Sequence, residues 1–316
     1  MFEKIKKHFL KILSVVVASS VMLTSTSAPT QAFSINELSD FGKGIINRTK
    51  KIYDDNTTIC NSAIVVLVAT LLFTIGFSVN KTNVDKEIKK YKDRAPDIFE
   101  IEDEVVRETD PEVLLRTLIQ LNKLFDKYES FTEELIKTKK SNSYNKKFTI
   151  RLSDDSNENA LASAYVNLDG INLAKKYYSK NGGKYLINMK RTTYNSPYDD
   201  NKSVENVVSH EFGHVMEFLY ISKKTKIKWE WYNSRIVIND YFENIKNEKS
   251  EAIKDQIIEN ATKRNKKRNI LEDLGTYANK DACEFFAEAF ATLETSTNSK
   301  YKYIRNAVKD VISDWF

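Results

Sequence analysis

Histidine is scarce in this chain. Of three in 316 residues, His8 lies near the start, and the other two stand four apart in His210-Glu211-Phe212-Gly213-His214. On a helix, residues i and i+4 project from one face about a turn apart, so both imidazoles can reach one ion. Glu211 follows the first histidine directly, which places its carboxylate beside that ion rather than in its ligand set. This spacing suits a zinc ion held on two histidines, with the glutamate as general base of peptide hydrolysis. A catalytic zinc takes three protein ligands and keeps one position for water. No histidine remains to be the third, so a site built within the chain requires a carboxylate.

The best candidates stand in Asp281-Ala282-Cys283-Glu284-Phe285-Phe286-Ala287-Glu288-Ala289-Phe290. Glu284 and Glu288 are one helical turn apart on a helix otherwise made of Phe and Ala. Burying two acids there is costly unless a cation or hydrogen-bond donors meet them. A solvated face would leave both as ordinary surface acids.

Together with the histidine segment, Tyr277-Ala278-Asn279-Lys280 and the helix that follows resemble the catalytic domain of anthrax lethal factor and its relatives, among them the Pro-Pro endopeptidases of clostridia. The resemblance implies an α+β, zincin-like fold of the gluzincin type: a small mixed sheet, an active-site helix and a mainly helical C-terminal subdomain. It further implies one Zn2+ per chain on His210, His214 and Glu284, with Glu211 as general base and Tyr277 stabilising the oxyanion. Glu288 would hydrogen-bond a ligand histidine. The likeness is sharp over 204–219 and 274–293 and extends over 110–316. Nothing before residue 95 shares it. The interval 222–270 is longer than the resemblance implies and reads as an insertion near the substrate groove.

The elements that must position these residues are legible in outline. Val204, Val207, Val208, Val215 and Leu219 give the histidine segment an apolar side, and a helix is expected from about Lys202 to Tyr220, capped by Asp199 or Asp200. Asp110 as cap and Pro111 in the first turn start another helix. Leu114, Leu118, Leu121, Phe125, Tyr128 and Leu135 carry it to about residue 138. Three stretches read as strands: Phe148 to Leu152, Ala162 to Leu168, and Lys184 to Met189, separated by Asp169-Gly170 and Asn181-Gly182-Gly183. An extended substrate is expected along Ala162 to Leu168, adding a strand to the sheet. Residues 222–270 read as charged helix, with the basic run Lys263 to Arg268 as a solvated helix end.

The N-terminal third carries addressing rather than chemistry. Residues 1–32 read as a signal peptide: lysines, the apolar run Phe9 to Leu23, then small residues with cleavage after Ala32. An uncleaved anchor is the alternative. Residues 33–58 form a short linker. From Ile59 to Val79, 21 residues carry no charge, enough to span a bilayer. Lysines dominate its C-terminal flank, which favours a cytoplasmic C-terminal region and conflicts with simple secretion. Export, secretion or membrane association is expected, with the side of the membrane open. Residues 80–109 read as a charged connector before a peptidase domain at 110–316. The formal charge of +5 includes +3 in the leader, so the remainder offers no argument for nucleic acid. Two cysteines, Cys60 and Cys283, exclude a disulfide scaffold, and each is expected as a free thiol. The expected partner is a protein or peptide substrate.

Overall fold

The computed structural model describes residues 82–141, 146–154, 160–164, 167–189, 202–226 and 236–316, the side chains of 236–242 excepted. The signal peptide, the linker, the 59–79 segment and Cys60 lie outside the described residues. Among the described residues, no helix is long and apolar enough to cross a membrane.

The described chain is mixed α and β, mostly helical, around one four-stranded sheet. Residues 82–93 form helix α1. Then come β1 (Phe99–Ile101), α2 (Asp103–Glu108), α3 (Pro111–Lys127), α4 (Glu129–Ser141), β2 (Phe148–Ser153), β3 (Ala162–Ala164) and β4 (Gly170–Ala174). Two short helices follow, α5 (Lys175–Tyr178) and α6 (Gly183–Asn188), and beyond them the chain is helical: α7 (Ser203–Thr225), α8 (Ile236–Arg264), α9 (Ile270–Leu274), α10 (Ala282–Thr295) and α11 (Lys302–Ile312), with single 3-10 turns at Tyr277–Asn279 and Ser299–Tyr301.

Strand order is β1-β2-β4-β3. β1 and β4 flank β2 in parallel, while β3 runs antiparallel to β4 at the edge, Ala164 opposite Ile171. Ile150, Leu152, Ile171 and Leu173 are buried, as β-branched and aliphatic residues at alternate positions should be. Gly170 enters β4 at φ +136, and a Cβ there would stand 1.8 Å from the Thr149 carbonyl oxygen, so only glycine fits this approach.

Asp110 caps α3 as expected, its carboxylate accepting from the backbone N–H groups of Glu112 and Val113 at 2.9 and 3.2 Å. The helix ends at Lys127 instead of running to 138. Tyr128 leaves helical geometry at φ −109, ψ 60, and its hydroxyl meets Glu294 of α10 at 2.5 Å. An aromatic cluster then joins the layers. Phe125 sits against Phe99, Phe148 and Phe212 with ring centroids 4.9, 5.9 and 5.1 Å away.

Three expectations give way. Residues 82–109, read from their charges as a connector, are built into the body. β1 pairs with β2, and Tyr91, Ile98 and Phe99 are buried. The charges sit on the outer faces of short elements whose apolar residues mostly point inward, with Val106 left exposed. Lys184 to Met189 is helix α6 and its C-cap, not a strand; short apolar runs do not distinguish the two by period. The strand at Ala162 stops at Ala164, and Leu168 stands at φ 61, incompatible with an extended run to that point. Strands β1 and β4 have no counterpart in the sequence expectations.

Candidate metal centre

Helix α7 is longer than expected and is fixed along its length by buried polar contacts. Arg116 of α3 grips Glu205 through Nε at 3.0 Å and Nη2 at 2.5 Å. Gln120 donates to Ser209 Oγ at 2.8 Å, and Asn206 donates to Thr295 Oγ1 of α10 at 3.3 Å. The expected caps Asp199 and Asp200 lie outside the described residues. Within the five-residue motif the division of labour follows the helical period. Phe212 enters the aromatic core, with Phe290 stacked on it at 6.0 Å. Gly213 faces α10 so closely that a Cβ would lie 3.2 Å from Ala287 Cα. His210, Glu211 and His214 line a cleft of about 640 Å3.

Helix α10 supplies the partner surface. Asp281 caps it by accepting from the Glu284 backbone N–H at 2.9 Å. Glu284, 74 residues from His210, brings its Oε2 to 3.0 Å from His210 Nε2 and 3.3 Å from His214 Nε2, while the two Nε2 atoms are 3.1 Å apart. His210, His214 and Glu284 form a group that could hold a metal ion. Tetrahedral bonds of about 2.0–2.1 Å put neighbouring donors about 3.3–3.4 Å apart, so the observed triangle is nearly the right size before any adjustment.

Proton accounting supports the fit. His210 Nδ1 lies 3.1 Å from Glu288 Oε1. A carboxylate there keeps the proton on Nδ1, which leaves the Nε2 of a neutral imidazole as a lone pair. That lone pair then faces the Glu284 oxygen and the His214 ring nitrogen, an arrangement that needs a further proton or a cation between them. Burial disfavours the Glu284 anion, but the His210 and His214 imidazoles beside it outweigh that and hold the carboxyl below the usual carboxylate range. His214 Nδ1 is buried without a hydrogen-bond partner among the described residues, and the ring is held instead by Phe218, stacked at 5.7 Å.

Glu211 is buried at the same cleft, and burial pushes its carboxyl up against the opposing influence of His210 and His214. The backbone N–H of Ala164, the last residue of β3, hydrogen-bonds to it and ties it to the sheet edge. Tyr277 donates to Glu284 Oε1 at 3.2 Å and remains 39% exposed. All six residues singled out in the sequence therefore meet in one place.

Other side chains at the centre were not anticipated. Lys280, just ahead of the α10 cap, reaches Glu284 Oε1 at 3.2 Å and lies over the Tyr277 ring at 5.4 Å; a base four residues before an acid was the available signal. Phe218 had none, since a stacking partner looks like any core aromatic. Glu243, Lys246 and Asn247 of α8 line the cleft as well, which puts part of the 222–270 interval at the groove. Cys283 is a buried free thiol. The basic run ends α8, with Lys263 paired to Glu259, Arg264 to Asp310 and Arg268 to Asp273. Comparison with protein-family models, curated proteins and solved structures returned no match for this chain.

Proposed function

We propose that the protein is a zinc-dependent endopeptidase. The observation that carries the reading is the convergence of His210, His214 and Glu284 on one point, with the Glu211 carboxylate beside it in an open cleft. Two imidazoles and one carboxylate, with the approach from the cleft left free, suit a catalytic zinc. A bound zinc supplies Lewis acidity, lowering the pKa of water and polarising the scissile carbonyl.

The chain's own residues do the remaining work. Glu211 accepts the proton of the attacking water at its carboxylate and returns it to the leaving amine nitrogen. Tyr277 is the hydroxyl donor available to the developing oxyanion. Glu288 holds the His210 ring in orientation through Nδ1. β3 offers an edge with no strand paired on its outer side among the described residues, and its small residues Ala162, Ser163 and Ala164 leave room for an extended peptide to add a strand. The same proposal includes a zincin-like fold of the lethal-factor kind, export or membrane association through residues 1–79, and a protein or peptide as substrate.

The test uses the full chain, with zinc content and peptide-library cleavage measured together. Wild type should bind one zinc and cleave in a chelator-sensitive manner. Glu211→Gln should keep the zinc and lose cleavage, whereas Glu284→Ala should lose the zinc. Cleavage that survives in Glu211→Gln, or in wild type stripped of metal, sinks the assignment.

A further inference from the structure

One buried acid plays no part in this chemistry. Glu217 lies one turn beyond His214 on α7 and is 0% exposed. The Ser250 hydroxyl of α8 and the Cys283 thiol of α10, 3.2 Å from each other, stand beside it and favour its ionised form, but neither meets a carboxyl oxygen in hydrogen-bond geometry. Lys246 of α8, itself paired to Glu243 at 2.6 Å, acts in the same direction, and Asp281 at the start of α10 acts against it. A fully buried carboxylate with so little compensation is costly. Burial prevails, and the group is pushed up to about 8.

The position of this junction gives it a consequence. Lys246 and Asn247 line the cleft, and Lys246 lies 6.0 Å over the ring of Phe218, which in turn stacks on His214. We propose that Glu217 is a latch: its carboxyl, shut off from water where α7, α8 and α10 meet, keeps that junction closed while it is neutral and so sets the position of the cleft wall beside the candidate metal centre. As a neutral acid it has one hydrogen to share with Ser250 or Cys283. As an anion it needs water, and water reaches it when α8 moves away.

The sign follows from proton binding. The closed junction holds its proton to higher pH than a free carboxyl, so opening becomes easier as pH rises from the ordinary value, 4.5, to about 8, and levels off above that. Full release of the group between about pH 5.5 and about pH 7.5 corresponds to a rise in the opening equilibrium of roughly 50-fold.

Amide hydrogen exchange over residues 243–251 of the full chain reads this directly, with Glu217→Gln as reference. Intrinsic exchange chemistry is the same in both proteins at each pH, so the ratio of their rates isolates the latch. The ratio should rise on the order of 50-fold across that interval. If the amide disturbs the junction, Glu217→Met, which needs no donor, serves as reference instead. A ratio that does not change with pH overturns the proposal. Only the effect on substrate access rests on the peptidase reading; a chain that cleaves nothing still answers the exchange experiment, so the two failures are distinguishable.

Discussion

Gly213→Ala tests whether the two helices that carry the candidate metal ligands are as close as the structure places them. Its Cβ would meet Ala287 Cα at 3.2 Å and the Cβ and Cδ1 of Phe290 at 3.3 Å. Non-bonded carbons prefer about 3.5–4.0 Å, so the shortfall is about 0.3 Å or more. The nearest of these atoms is backbone, which has no rotamer to escape into. The helices must part, at a cost of roughly 1–3 kcal/mol. Alanine recovers up to about 1 kcal/mol through its better helical preference. The net is a loss of about 1 kcal/mol, or about 2–4 °C in Tm for a domain of this size. Because α10 also carries Glu284, parting the helices spreads donors now 3.0–3.3 Å apart, and zinc affinity should fall roughly tenfold, the scale seen when a ligand's support is lost. Thermal unfolding of the metal-free full chain measures the first effect and competition with a chelator the second. A Tm that rises by the helical-preference amount, with unchanged affinity, refutes the close crossing.

Two further substitutions separate roles around the same centre. Tyr277→Phe should keep one zinc per chain and lower kcat by about 10²–10³-fold; unchanged turnover in a peptide assay would leave the tyrosine with its contacts to Lys280, His210 and Glu284 and no part in the reaction. Glu288→Ala should weaken zinc 10–100-fold in chelator competition, roughly the loss expected when a histidine's orienting carboxylate goes. Unchanged affinity would mean that the 3.1 Å contact to His210 Nδ1 does not hold the ring.

The candidate centre was more legible in the sequence than the sheet was, and locality explains the difference. The two histidines, and likewise Glu284 and Glu288, are spaced four apart on single helices, so each pair declares its common face without tertiary knowledge. The scarcity of histidine pointed to a carboxylate as third donor, and the likeness to the lethal-factor domain implied Glu284, 74 residues away. Strand β1 carried no such mark. Three residues, one of them Glu100, contain too little alternation to read, and their meaning lies in a partner, β2, beyond three helices. The run at Lys184 to Met189 was apolar enough for either structure, and with no strand beside it among the described residues a helix packed through Leu186 satisfies its own backbone. Lys246 and Asn247 were unremarkable on a charged helix, and they acquire significance only where α8 crosses the cleft.

The place of β1 in the sheet also decides where the folded unit may be cut for production. A recombinant piece starting at the well-capped helix of Asp110 looks natural, yet it would remove Tyr91 and Phe99 from the rings of Phe125 and Phe148. It would also strip β2 of its neighbour and leave a raw parallel edge, a template for association between copies. Arg94, which donates to the Asn122 carbonyl at 2.9 Å, would be lost with it. Pieces that begin ahead of residue 82 keep these contacts, and solubility should divide the two sets of fragments at this strand.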